Sequence, residues 1–209
     1  MPGTTSLLGF IAAALIVLVT PGPGVLYVVA RSLSQGQRAG LVSVLGLSSG
    51  ALVHVAAATV GLSAILLTSA TAFGIVKALG AGYLIYLGIR TLLAHRTAAG
   101  VDIAAPRSRY RLFIDGVAVS VLNPKLAVFF LAFLPQFVEP GRGSVSQQVL
   151  FLGLLYVALA LMTDSAYALL AGRFRRWLGG KATQGPRLQY ASGGVYLGLG
   201  LSTAFAERR

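Results

Sequence analysis

The chain has 209 residues, of which 56% are hydrophobic and only 11% charged, and its mean hydropathy is +0.80. Soluble domains carry about a quarter charged residues, so this composition excludes an ordinary soluble domain and points to an integral membrane protein. Cysteine is absent, which removes disulfides, thiol catalysis and thiolate metal sites, and the net charge of +12 lies in short loops rather than in a basic stripe with interleaved aromatics, which argues against a nucleic-acid partner.

A membrane-spanning helix needs roughly 17–25 mainly apolar residues. Six stretches qualify: 6–30, 41–67, 71–93, 112–138, 147–171 and 189–206. The expected fold is therefore all-α, a polytopic membrane protein with six transmembrane helices. No Lys or Arg precedes the first stretch and no A-x-A-like cleavage site follows it, so it reads as a retained helix rather than a signal peptide.

The first span breaks its own backbone at Pro21, Gly22, Pro23 and Gly24. In a helix interior a proline costs about 3 kcal/mol and a glycine about 1 relative to alanine. The second span repeats Gly46, Gly50 and His54 every four residues, which puts them on one helix face. Such a glycine face allows close approach of a neighbouring helix or serves a homodimer. The third span opens with Lys77, near enough to its end to snorkel.

A polar, basic connection containing Pro106 then runs over 96–111. It reads as a cytoplasmic linker between a first three-helix repeat, 1–95, and a second, 112–209. The fourth span is interrupted in its turn at Asn123, Pro124 and Lys125, and superimposing Pro21 on Pro124 aligns "VTPG" with "LNPK". "IYLGI" at 85–89 is echoed by "VYLGL" at 195–199. Three spans per unit make the two repeats insert with opposite orientation, and equivalent interrupted helices near the midplane are a transporter architecture. Broken backbone is tolerated in a membrane only where it lines protein or a wet cavity.

Loop charges set the orientation. Arg31, Arg38, Arg90, Arg96, Arg107, Arg109, Arg111, Arg173, Arg175, Arg176, Lys181 and Arg187 follow spans one, three and five, against Arg142, Arg208 and Arg209 on the other side. The positive-inside bias puts both termini outside the cytoplasm.

His54, Lys125 and Asp164 lie deep within spans, about 20, 20 and 10 Å from the cytoplasmic helix ends. A charge at a helix centre costs at least about 2.5 kcal/mol, so these groups should face the bundle interior. A lysine beside a half-helix N-terminus suits a carboxylate, and Asp164 suits an ammonium or a coupling proton. A zwitterion needs one of each. A purely structural Lys125–Asp164 pair explains the same residues. His54 either accepts a coupling proton or donates a hydrogen bond to backbone. No second His or Cys follows at ligand spacing, so no metal site is expected. Asp115 and Glu139 are expected to pair with neighbouring arginines, Tyr27, Tyr156 and Tyr167 are candidates for the pathway wall, and Trp177 and Tyr110 fit interfacial anchoring.

The segment "TPGPGVLYVVARSLSQGQRAGLVSVLGLSSGALVH" resembles the N-terminal signature of the LysE/RhtB-type amino-acid exporters, and "NPKLAVFFLAFLPQFV" resembles their second-half signature. The resemblance covers essentially the whole chain. It implies export of small, neutral amino acids or derivatives across the bacterial cytoplasmic membrane, driven by the proton gradient. On that reading Pro21, Gly22, Pro23, Gly24, Asn123, Pro124, Lys125 and Asp164 form the substrate site, with Asp164 and His54 as proton-coupling candidates. No cofactor is implied, and no phosphate-cradling loop suggests ATP drive. A passive channel and a cation exporter of the same superfamily are the alternatives, while a membrane enzyme lacks an identifiable nucleophile within reach of a base.

Overall fold

The computed structural model describes residues 1–69, 71, 75 and 107–177, all helical or connecting. Most of the third span at 71–93, the sixth at 189–206 and most of the 96–111 linker lie outside the described residues, so the echo between "IYLGI" and "VYLGL" does too.

The first span is two helices, α1 (Thr4–Val19) and α2 (Pro23–Gln35), bent by 51° at the break. Pro23 is the first residue of α2, where its missing N–H costs nothing. α2 ends at Gly36, whose φ of +92° is the left-handed conformation that glycine adopts without strain. α3 (Gln37–Thr68) and α6 (Val145–Trp177) are each long and apolar enough to cross a membrane, and both overrun the spans expected for them.

The fourth span is likewise broken. α4 (Arg109–Val121) meets α5 (Pro124–Val128) at a 48° bend, and the chain continues as a π-helical turn at Phe129–Phe133 and a 3-10 turn at Leu134–Phe137. Pro135 lacks the N–H that would extend the α-helical ladder. The Leu134 amide reaches back to the Phe129 carbonyl, closing the wider turn.

Hydrogen bonds between distant segments fix the directions. The Met1 ammonium donates to the Arg142 carbonyl at 2.9 Å, and the Gly3 amide and Ser6 hydroxyl donate to Glu139 at 3.1 and 2.5 Å. At the opposite end Gln35 bonds the Arg107 carbonyl at 2.8 Å, and Gln37 the Leu169 carbonyl at 3.0 Å. The bent pair α1–α2 therefore runs antiparallel to the bent pair α4–α5, and α3 runs antiparallel to α6. Arg38, Arg107, Arg109, Arg111, Arg173, Arg175 and Arg176 gather at one end, and Arg142 stands at the other. Asp115 pairs with Arg107, and Glu139 with Arg142 at 2.7 Å, as the loop charges suggested. The Ser6 hydroxyl and the Gly3 amide hold the Glu139 carboxyl below the usual glutamate pKa. Trp177 and Tyr110 are exposed at the arginine-rich end.

The glycine face of α3 packs on α4. A Cβ on Gly50 would stand 2.5 Å from the Ser120 Cβ and 2.7 Å from the Val117 carbonyl, and one on Gly116 would stand 2.7 Å from the Ser43 carbonyl. Gly46 faces the Phe113 carbonyl and the Gly116 Cα in the same seam. These glycines serve internal packing, where close backbone approach replaces the hydrophobic drive that lipid does not supply. The largest buried cluster joins Ala, Leu and Val side chains to a group of packed aromatic rings. Phe129 lies 4.4 Å from Tyr156 and 5.9 Å from Phe10, which meets Phe137 edge-on at 5.5 Å. It fills the bundle between the broken region and the Glu139 end.

Candidate functional site

Every helix terminus leaves backbone groups without intrahelical partners. At the end of α1 the carbonyls are taken up by side chains from the second half of the chain. The Lys125 ammonium donates to the Val17 carbonyl at 2.5 Å and to the Thr20 carbonyl at 2.6 Å. The Tyr167 hydroxyl donates to the Val19 carbonyl at 3.0 Å, and Thr20 closes on Ile16 through both its amide and its hydroxyl. The two breaks thus meet. Lys125 does not point from the N-terminus of its own helix, as its place after Asn123-Pro124 suggests. Its four-carbon stem crosses to the negative end of α1, where a cation is favoured.

The two N-termini at the breaks differ. α5 is capped: the Asn123 side chain accepts from the Lys125 amide at 3.1 Å, and the Asn123 carbonyl accepts from the Leu126 and Ala127 amides. No side chain caps α2. The Gly24 and Val25 amides find no acceptor among the described residues, and both residues line a cavity of about 60 Å³ between the breaks.

From the second break the cavity wall includes Ser120, Asn123 and Lys125, and from α6 it includes Tyr156 and Asp164. Asp164 is only 9% exposed, and its carboxylate lies within the electrostatic reach of Lys125. α3 contributes Leu47, Ser48 and Ala51. One wall therefore carries amide donors beside an ammonium, and the same small space holds a buried carboxylate.

Of the residues expected at the site, Gly22, Gly24, Asn123, Lys125 and Asp164 come together around this cavity. Pro21, Pro23 and Pro124 do not line it; Pro23 and Pro124 are exposed, and they act by shaping the breaks. His54 stands aside. Its Nε2 is 3.2 Å from the Ser120 carbonyl, to which it donates, and its ring stacks 6.0 Å from Phe130. Among the tyrosines, Tyr156 lines the cavity, whereas Tyr27 and Tyr167 spend their hydroxyls on the Leu112 and Val19 carbonyls. Ser48 and Ser120 were not singled out by sequence reasoning. The one available signal is that Ser48 lies one position beyond Leu47 on the α3 face that also carries Ala51. Among the described residues no three His, Cys, Asp or Glu side chains converge.

The family model described as LysE type translocator matches residues 15–206. A homoserine/homoserine lactone efflux protein of Salmonella typhimurium is 32% identical over 201 residues, covering 95% of each chain. An uncharacterized membrane protein of Vibrio cholerae is 28% identical over 200 residues, 96% of this chain and 97% of that one. Another, of Bacillus subtilis, is 28% identical over 210 residues, 96% of this chain and 99% of that one. No solved structure matches.

Proposed function

This chain belongs to the LysE type translocators, and on that premise we propose that it exports small neutral amino acids or their derivatives from the cytoplasm in exchange for protons. The observation that carries the reading is the cavity where the two broken helices meet, with an open helix N-terminus and Lys125 on one side and the buried Asp164 carboxylate on another. A substrate carboxylate is received by the Gly24 and Val25 amides within the field of Lys125. The amine goes to Asp164, which in the substrate's absence carries the coupling proton. Homoserine and its lactone, the compounds in the name of the Salmonella relative, share an amine but not a free carboxylate. Asp164 is therefore the contact common to both.

The antiparallel bent pairs, with bends of 51° and 48°, support two inverted repeats, 1–95 and 112–209, joined by the 96–111 linker. The arginine-rich end supports a cytoplasmic placement for residues 35–38, 107–111 and 169–177, with the N-terminus outside. The cavity measures about 60 Å³. Rocking of two halves about the breaks would open it to one side of the membrane and then the other.

The test is transport in proteoliposomes loaded with labelled L-homoserine and exposed to an acid exterior. Saturable efflux that follows the proton gradient and is lost in Asp164→Asn is expected. Gradient-independent, unsaturable flux would favour a passive channel. No movement of homoserine, its lactone or a panel of neutral amino acids would overturn the reading.

A further inference from the structure

Hydroxyls in membrane helices ordinarily bond the carbonyl one turn back, which hides the polar group from lipid. Ser43, Ser49 and Thr59 on α3 do so, at 3.0, 2.9 and 2.7 Å from the carbonyls of Ala39, Leu45 and Val55, and Thr163 on α6 bonds Leu159 at 3.1 Å. Ser48 breaks the pattern. Its Oγ is buried and has no partner among the described residues. Ser32 Oγ is the other unpartnered buried hydroxyl of the described residues, and it lies against Gly40, away from the cavity. Ser48 instead lines the cavity that Lys125 and Asp164 share.

We infer that Ser48 determines specificity at the transport site: its hydroxyl hydrogen-bonds a polar group on the substrate's side chain, so the protein prefers hydroxylated amino acids to aliphatic ones of equal length. The inference rests on the cavity being the substrate site. The two charged ends of an amino acid are accounted for by the α2 amides with Lys125 and by Asp164. A third polar group on the wall, unpaired and on a different helix, is left to read what the side chain carries. A hydroxyl both donates and accepts, so it serves an alcohol or an ester oxygen equally. A wall that leaves a hydrogen-bonding group unpaired discriminates against a ligand unable to engage it.

The comparison that isolates this contact is L-homoserine against L-2-aminobutyrate, which differs only in lacking the terminal hydroxyl. Efflux of each is measured in proteoliposomes with the full-length protein and its Ser48→Ala and Ser49→Ala variants. The wild type is expected to favour homoserine by about threefold to tenfold, the range of one neutral hydrogen bond. Ser48→Ala should lose that preference, its homoserine efflux falling to the level of its 2-aminobutyrate efflux, and a wild-type melting midpoint in detergent reports that the variant is folded. Ser49→Ala, whose hydroxyl is already bonded, should keep it. An unchanged preference in Ser48→Ala, or none in the wild type, overturns the inference and leaves the exporter reading standing. If the wild type moves neither compound nor any other amino acid, both fall together.

Discussion

Replacing Lys125 with methionine tests whether the break in the first span is held shut from the second. The side chains are close in length, so packing along the stem is kept while the ammonium is removed. Two hydrogen bonds from a charged donor, to Val17 and Thr20, are worth about 1.5–3 kcal/mol each. Against this, a charge near a helix centre costs about 2.5 kcal/mol to embed, and methionine does not incur that cost. The net expectation is a loss of about 2 kcal/mol, which corresponds to a fall of about 4–8 °C in melting midpoint for a chain of this size. Tyr167→Phe removes one neutral bond, to Val19, and should lower the midpoint by only about half as much. Thermal unfolding followed by circular dichroism in one detergent reads both. A Lys125→Met protein that melts with the wild type, or below Tyr167→Phe in effect, would mean that the carbonyls at the end of α1 are satisfied some other way.

The glycine seam yields a paired expectation. Gly50→Ala forces a Cβ to 2.5 Å from Ser120 and 2.7 Å from the Val117 carbonyl, an overpacking that costs about 1–3 kcal/mol, whereas Gly61→Ala meets nothing within 4 Å and should gain up to about 1 kcal/mol in helix propensity; melting midpoints of the two should move in opposite directions. At the other end, the depressed pKa of Glu139 means that its contacts with Ser6 and Gly3 stabilise the folded chain fully above the ordinary glutamate value of about 4.3. That contribution is lost as pH falls through the lower folded-state value. The midpoint difference between wild type and Glu139→Gln should therefore persist at neutral pH and close in acid; a difference that grows on acidification would refute the assignment.

Both breaks were legible because proline and glycine act through local backbone chemistry, and the positions that disrupt a helix can be read without knowing its neighbours. The face formed by Gly46, Gly50 and His54 was legible for a similar reason, since a spacing of four residues fixes a face. What that face meets was not. Its partner, α4, lies some 65 residues further along the chain, and nothing in a helical repeat encodes which distant helix it will receive. His54 illustrates the consequence: its hydrogen bond goes to Ser120, a backbone carbonyl of the second broken span. Ser48 was invisible for a different reason. It is chemically identical to Ser43 and Ser49, and only the direction of its hydroxyl separates it from them.

The direction of Lys125 changes what kind of solute the proposed site selects. A broken helix presents two opposite poles, carbonyls at the end of its first half and amides at the start of its second. Left open, the carbonyl pole would attract cations and the amide pole anions. Here the carbonyl pole of α1 is occupied by the Lys125 ammonium from the same chain, and the amide pole of α5 is occupied by Asn123. At the end of α4 the Ser120 carbonyl is met by His54 and by the Asn123 amide, whereas the amide pole of α2 faces the cavity uncapped among the described residues, so the breaks together favour an anionic group. Asp164 supplies the opposite preference from another helix. A free anion would meet the α2 amides but also face the buried carboxylate, and a free cation would meet the carboxylate but also face the α2 amides. A solute carrying both charges, or a cation able to place an ester oxygen against the amides, satisfies the two sides at once. On the proposed reading, selection for amino acids over simple ions therefore follows from which helix ends the protein has sealed with its own side chains.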